Sequence, residues 1–267
     1  MDLNNIDVIA WDYDGVWYDY HAVPDNGFYE LCDEANAEAA CATFAELGHD
    51  LSRAAAVDLA IESFKKHHDV VTAFLLYGDK HGLSRTAIQE GIFYRYNDIL
   101  FHLTMDRHPE LLAPCHETTR KMGLLDGHVT HAVLTHSCAT RWAAPAIRKQ
   151  GNARFFKPDH IVGFDQFGFQ SKSLSADGIA MILDRVQSSP ERTVFVEDSA
   201  TNLKIAREAY PELRTVLVSR KPVEKPDFVD TVIDRPLALL NAIAHHRGIT
   251  ATPPLPIRPY APKVGVK

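Results

Sequence analysis

The chain of 267 residues contains no stretch of 18 consecutive apolar residues. Its start, Met1-Asp2-Leu3-Asn4-Asn5, lacks the basic segment and apolar run of an export signal. The expectation is a soluble protein that is not exported and has no membrane partner. Cysteine is scarce: Cys32, Cys41, Cys115 and Cys138 form no CxxC pair and have no spacing suited to a zinc site or a disulfide framework. They read as reduced thiols in a cytoplasm. Positive charge is in deficit, with 28 Lys and Arg against 35 Asp and Glu and a net charge of -7. The electrostatic footprint of a nucleic-acid binder is therefore missing, and any phosphate must be held by local groups. Core-forming residues are not lacking. The 46% hydrophobic and 24% charged fractions are ordinary globular values, and the length suits one large domain or a domain with an insertion.

The first apolar run, Ile6-Asp7-Val8-Ile9-Ala10-Trp11, is short, β-branched and stopped by Asp12-Tyr13-Asp14-Gly15. That is the pattern of a buried parallel strand ending in a loop. Similar runs follow at His131-Ala132-Val133-Leu134, Thr193-Val194-Phe195-Val196, Thr215-Val216-Leu217-Val218 and Thr231-Val232-Ile233, separated by helical patterns. Strands alternating with helices predict an α/β protein with a Rossmann-like, doubly wound parallel sheet. The interval from Asp14 to Thr135 is about four times the length of a whole βαβ unit, so something is inserted there. Residues 23–107 are Ala-, Leu- and Glu-rich with helical spacing, as in Leu51, Ala55, Leu59 and Ser63, and read as a small all-helical domain. Its helices are expected to break near Gly48, Gly78 and Gly82, with Asp50 and Ser84 as N-caps. Residues 1–22 and 108–247 then form the α/β core. Residues 248–267, with Pro253, Pro254, Pro256, Pro259 and Pro262, read as an extended or disordered tail.

Three strand ends and one lysine carry the chemistry. In open α/β sheets, ligands bind at the carboxyl ends of strands, where Asp12 and Asp14 fall. Two residues apart on an extended chain is roughly 6.6 Å with both side chains on one side, so both can address one bound group. A calcium loop is excluded, because counting Asp12 as position one puts Trp17 at the glycine position and Val23 at the bidentate Glu position. The second strand end, Val133-Leu134-Thr135-His136-Ser137, offers a hydroxyl and the amides of a helix start, suited either to phosphate oxygens or to capping the helix that holds Trp142. The third, Val196-Glu197-Asp198-Ser199 with Asn202 beyond it, brings further carboxylates to the same edge. Clustered oxygen ligands without Cys or His suit Mg²⁺. Lys172, ahead of a helix expected from about Ala176 to Val186, is placed to pair with these carboxylates and a bound anion; Lys157, followed by Pro158, is its rival. Paired histidines at His67-His68 and His245-His246 have no metal-site spacing.

Taken in order, the DxDGV strand end, the strand ending in Thr135, the later Lys172 and the Glu197-Asp198-Ser199…Asn202 strand end resemble the haloacid dehalogenase (HAD) superfamily. The insert stands where that superfamily carries a C1-type helical cap. Thr135-His136-Ser137 and Phe164-Asp165-Gln166-Phe167-Gly168 are similar to the pyrimidine 5′-nucleotidase and phosphoglycolate phosphatase branches. The resemblance implies that Asp12 is a nucleophile taking up a phosphoryl group and that Asp14 is the general acid and then the base. It implies that Thr135 and Lys172 hold phosphoryl oxygens. His136 stands where many relatives carry Asn and joins them as a phosphate-binding candidate. It further implies Mg²⁺ bound by Asp12, the Asp14 carbonyl and Asp198, with Glu197 as an additional or water-mediated ligand. Trp17 and Tyr18, bulkier than the residues many relatives have beside the motif, and Asn202 are the substrate-proximal candidates, with packing under the cap as the other reading of the two aromatics. The implied function is a Mg²⁺-dependent phosphomonoesterase for a small phosphorylated metabolite, a nucleoside monophosphate foremost. Dehalogenases need no second acid, so Asp14 argues against one. A phosphonatase needs a cap lysine forming a Schiff base, and nothing marks Lys65, Lys66 or Lys80 as buried. A phosphomutase of the β-phosphoglucomutase type and a non-catalytic binding protein of the same fold are the alternatives.

Overall fold

The computed structural model describes residues 3, 5–67 and 69–249. The expected tail falls almost wholly outside them, as does His68. Six parallel strands form one sheet in the order β3-β2-β1-β4-β5-β6. They are β1 (Val8–Trp11), β2 (Thr130–Leu134), β3 (Phe156–Val162), β4 (Thr193–Glu197), β5 (Arg214–Val218) and β6 (Thr231–Ile233). The central strand β1 pairs on both sides in matched register, Val8 to Trp11 facing Thr130 to Val133 in β2 and Thr193 to Val196 in β4. Chain order reverses at β1, so the crevice outside the carboxyl ends of β1, β2 and β4 is where a doubly wound sheet binds ligands.

Alternation along each strand divides the core into two layers. Ile9, Trp11, Val133, Val194, Val196 and Val216 pack on one face with Met122 and Leu125 of α5 (His116–Leu125) and Leu239, Leu240 and Ile243 of α9 (Pro236–His246). Ala10, Ala132, Leu134, Phe195 and Leu217 pack on the other with Ile179 and Ile182 of α7 (Asp177–Val186) and Leu203 and Ala206 of α8 (Ala200–Ala209). Both faces are covered, which is why the strands read as continuous apolar runs.

Strand β3 departs from the sequence expectation, which has no strand between β2 and β4. It is an edge strand whose Lys157, Pro158 and Asp159 are exposed, so it shows no apolar run, and an edge tolerates a proline. Its pairing with β2 shifts register between His131 and Val133.

Between β1 and β2 lie α1 (Gly27–Glu46), α2 (Arg53–Glu62), α3 (Thr72–Lys80) and α4 (Arg85–Arg107), then α5, with no strand among the described residues there; α6 (Ala144–Lys149) follows β2. Helix α1 buries small residues, Ala35, Ala37, Ala39 and Ala40, which lets α4 pack closely along it. Ser84 caps α4, accepting from the Ala87 amide at 3.3 Å as expected. Two local expectations are corrected. Ser52, not Asp50, caps α2, its hydroxyl accepting from the Ala55 amide at 3.3 Å. Gly78 does not break a helix: it lies inside α3, where a Cβ would come within 2.2 Å of Ile88, so the glycine serves helix packing.

Helix α4 ties the inserted helices to the sheet. The Asn97 side-chain carbonyl accepts from the Cys138 amide at 2.9 Å, Tyr94 donates to Asp165 at 3.1 Å, and Asp98 pairs with Arg141. No helix among the described residues is long and apolar enough to cross a membrane.

Candidate active site

Asp12 is the first residue past β1 and still in the ladder, its amide donating to the Val196 carbonyl at 2.7 Å. The pairing holds its carboxylate, 4% exposed, beside the end of β4. Lys172 reaches the same place, donating to Asp12 Oδ1 at 2.8 Å and to Glu197 Oε2 at 2.7 Å, with the Leu134 carbonyl at 3.4 Å. The rival Lys157 is exposed on β3 and lines a different cavity with Asp7 and His131, so the pairing falls to Lys172.

Oxygens of Asp12, Glu197 and Asp198 lie within 4.8 Å of one another. Three carboxylates thus crowd around one ammonium in low-dielectric surroundings, and their titration divides accordingly. Burial works to lower Lys172, but Asp12 and Glu197 more than offset it and hold the ammonium charged, raised above its ordinary value. Burial also opposes the Glu197 charge, yet the Lys172 ammonium keeps that carboxyl down at about 2. Asp12 is raised well above its ordinary value by burial and by the Glu197 charge. Asp198 is pushed up to about 7, by burial first and Glu197 second. The surplus of negative charge is what a divalent cation neutralises, so the donor set fits Mg²⁺. Glu197 has Lys172 on one oxygen and the Ser199 amide, at 3.1 Å, on the other, which leaves Asp12 and Asp198 the freer donors.

Gly15 makes room for this cluster. Its φ of +78° is open to glycine, and a Cβ there would come within 1.9 Å of Asp198 Oδ2. Arg220, past β5, donates to the Gly15 and Val16 carbonyls and braces the turn. Tyr20 donates to Asp198 Oδ2 at 3.4 Å.

The expectation that Asp12 and Asp14 address one group is not what the side chains show. Asp14 turns into a cradle of four donors. Oδ1 accepts from Tyr18 at 2.6 Å and from Trp142 Nε1 at 2.7 Å; Oδ2 accepts from Thr135 at 2.9 Å and from Ser137 at 2.8 Å. The physical reason is satisfaction: both carboxylate oxygens are filled where the chain bends at Gly15. Sequence reasoning did not single out Ser137 and Trp142 for this role. Ser137 was legible only as part of the Thr-His-Ser string, and Trp142, seven residues beyond Thr135, had no local signal.

His136 also departs from the role of an anion donor at Nε2. That nitrogen accepts from the Lys172 amide at 2.8 Å, and burial pushes the imidazole down to about 3, so the ring is neutral and anchors the Lys172 loop. Of the substrate-proximal candidates, Tyr18 lines the cavity next to Asp14. Trp17 does not. Its ring packs edge-on against Trp11 at 5.1 Å and Phe156 at 5.8 Å, in the core below the turn. Asn202 is buried in α8, its amide capped by Ser199, and is absent from the cavity wall.

That cavity, about 620 Å³, opens between the sheet's carboxyl edge and the inserted helices. Asp14, His136 and Ser137 lie at its base. Its walls are rings: Tyr18, Tyr20, Phe28 and Tyr29 in one group, Phe93, Phe164 and Phe169 in another, with Phe64 and Tyr96 beside them.

A Rossmann-like sheet with a helical insert after its first strand, and an acidic cluster with one buried lysine at its carboxyl edge, define a class of hydrolase folds. The family model of haloacid dehalogenase-like hydrolases matches residues 6–209, and the chain belongs to that family. Solved structures agree on the fold. The chain resembles a HAD phosphatase from Thermococcus onnurineus at 14% identity and a TM-score of 0.55, covering 91% of this chain and 98% of that one. It resembles CbbY from Rhodobacter sphaeroides, solved with phosphate, at 22% identity and 0.53, covering 86% and 94%. YfnB from Bacillus subtilis, solved bound to magnesium, gives 17% identity and 0.51, covering 90% and 97%. No curated protein matched the chain in a sequence comparison.

Proposed function

We propose that this chain is a Mg²⁺-dependent phosphomonoesterase that hydrolyses a small phosphorylated metabolite through a phosphoryl group carried on Asp12, with a nucleoside monophosphate as the leading candidate. One observation carries the reading: a buried Asp12 whose carboxylate is held at 2.8 Å by Lys172, beside Glu197 and Asp198 at the neighbouring strand end. A structural ion pair needs one carboxylate for one lysine, and the two further acids leave a surplus of negative charge that a bound divalent cation offsets.

In the first step an Asp12 oxygen forms a bond to phosphorus while the bond from phosphorus to the leaving oxygen breaks, and Asp14, turned out of its cradle of donors and protonated, gives its proton to that oxygen. In the second, water attacks the phosphoryl group on Asp12, Asp14 takes the water proton, and the Asp12 carboxylate is regenerated. Lys172 holds a phosphoryl oxygen through both, and Asp14 stands at the cavity base where the leaving group departs. Mg²⁺ held by Asp12, Asp198 and the Asp14 carbonyl, with Glu197 adjacent, would supply charge neutralisation for nucleophile and phosphate. The inserted helices act as the cap that excludes water.

The test is phosphate release from small esters with and without Mg²⁺, beside Asp12→Asn. Release that requires both supports the reading. No release from any ester by folded protein with metal bound overturns it.

A further inference from the structure

The cavity beside Asp14 is unlike the charged cluster at the strand ends. No lysine or arginine lines it among the described residues; its imidazoles are His136, held neutral by burial, and the half-buried His67. Asp69, the other carboxylate on the wall, is spent on the amides of Val71 and Thr72 at 2.9 and 2.8 Å. A second phosphate or carboxylate on a substrate would therefore meet no lysine or arginine there and at most the one imidazole of His67, at a heavy desolvation cost.

The rings present the opposite preference. Phe169 stands at φ +56°, a left-handed conformation unfavourable to a bulky side chain, and directly follows Gly168 at φ +74°. The strain turns the Phe169 ring into the wall, where it meets Phe93 at 5.1 Å and Phe164 at 5.5 Å edge-on. Strain of this kind persists where a site uses it. Two of the four large apolar residues exposed among the described ones, Tyr29 at 44% and Leu174 at 83%, stand on this same wall. Apolar surface left open at the mouth of a cavity is surface that a ligand covers.

We infer that the leaving group this site selects is an uncharged flat ring, carried on a substrate with a single phosphate, and that ring-less sugar phosphates and bisphosphates are discriminated against. Phe169 and Tyr29 are the specificity-determining residues, stacking on the ring while Asp14 faces the ester oxygen. The inference rests on the phosphomonoesterase reading above and names the substrate class of that site.

The experiment is steady-state hydrolysis by the full chain with Mg²⁺, using acetyl phosphate, ribose 5-phosphate, ribose 1,5-bisphosphate, phenyl phosphate and uridine 5′-monophosphate. At least one of the two ring esters should exceed ribose 5-phosphate by about tenfold or more in kcat/KM, with the bisphosphate lower still. Phe169→Gly suits the left-handed backbone, so the variant keeps its fold while losing the ring. The ratio of the better ring ester to ribose 5-phosphate should fall about fivefold or more in it, and also fall in the surface variant Tyr29→Ala. Equal or better turnover of ribose 5-phosphate or the bisphosphate, or an unchanged ratio in both variants, overturns the inference. Acetyl phosphate separates the two readings. If it is hydrolysed in an Asp12-dependent way while ring esters gain nothing, only the ring preference fails; if no ester at all is hydrolysed, the parent reading fails as well.

Discussion

The charged floor next to the cavity and the cavity's own walls are built from opposite materials. The floor is Asp12, Glu197 and Asp198 about Lys172; Asp14 joins it to the cavity lining, and all are delivered by the ends of strands or by a loop that crosses them. The walls are rings, drawn from the turn after β1, from α1 and α4 and from the loop after β3. The difference separates the two tasks. Charge at a strand end is held by ladder hydrogen bonds and, on the proposed function, would handle the phosphoryl group that is the same in every substrate. Rings on helices and loops would then meet the part that varies.

Variants that cross from one region to the other test this division, and the largest effect is expected on the floor. Lys172→Met leaves two buried carboxylates, Asp12 and Glu197, and the half-buried Asp198 without their cation. We expect a loss of about 3–5 kcal/mol in denaturant unfolding without metal, partly restored by Mg²⁺. Stability unchanged without metal would show that the floor is not a charge-balanced unit.

Acid sensitivity belongs partly to a third place. Burial pushes His131, at the other end of β2 from Thr135, down to about 4. Between pH 6.5 and 4 the unfolded chain takes up a proton that the native chain refuses, so this group's contribution is complete above pH 6.5 and is lost as pH falls towards 4. At about 1.4 kcal/mol per unit the loss reaches about 3 kcal/mol. In His131→Gln the fall in stability across that window should shrink by about that much; an identical fall would assign acid lability to the floor alone.

Gly15→Ala places a methyl group against Asp198 on a backbone with φ +78°. Mg²⁺ affinity, read by calorimetry, should drop on the order of 10²-fold, while the ratio of ring ester to ribose 5-phosphate in residual activity stays as it was. A shifted ratio would mean that floor and walls are not separable. Tyr18 belongs to both, as a ring on the wall and a donor to Asp14 at 2.6 Å. Tyr18→Phe keeps the ring and removes the donor, so kcat should fall about tenfold with KM little changed. A raised KM alone would place Tyr18 in binding only. The smallest effect is at the rim: Leu174→Ser should leave the unfolding free energy unchanged within about 0.5 kcal/mol and weaken ring esters only a few-fold.

The same division decides what could be read from the sequence. Strand ends are local, so Asp12, Thr135 and Glu197-Asp198 stand out as residues that stop apolar runs, and five of the strands follow from those runs. Strand β3 was illegible because an edge strand with Lys157, Pro158 and Asp159 exposed carries no run. Lys172 could not be told from Lys157 until the sheet placed one against Asp12 and the other on the far strand. Tyr18 and Trp17 are neighbours of similar bulk, yet one faces the cavity and one the core, because the turn at Gly15 sets their facing. The wall rings, from Tyr18 to Phe169, form a unit only in three dimensions. No period or motif links them.

The central claim is that Asp12 carries the phosphoryl group. The direct measurement is mass spectrometry of the Asp12 peptide from protein quenched in acid during turnover of acetyl phosphate. The account predicts a peptide heavier by one phosphoryl group, present with Mg²⁺ and absent without Mg²⁺ or in Asp12→Asn. Sustained phosphate release with no adduct, an adduct on another residue, or full turnover by Asp12→Asn would contradict it.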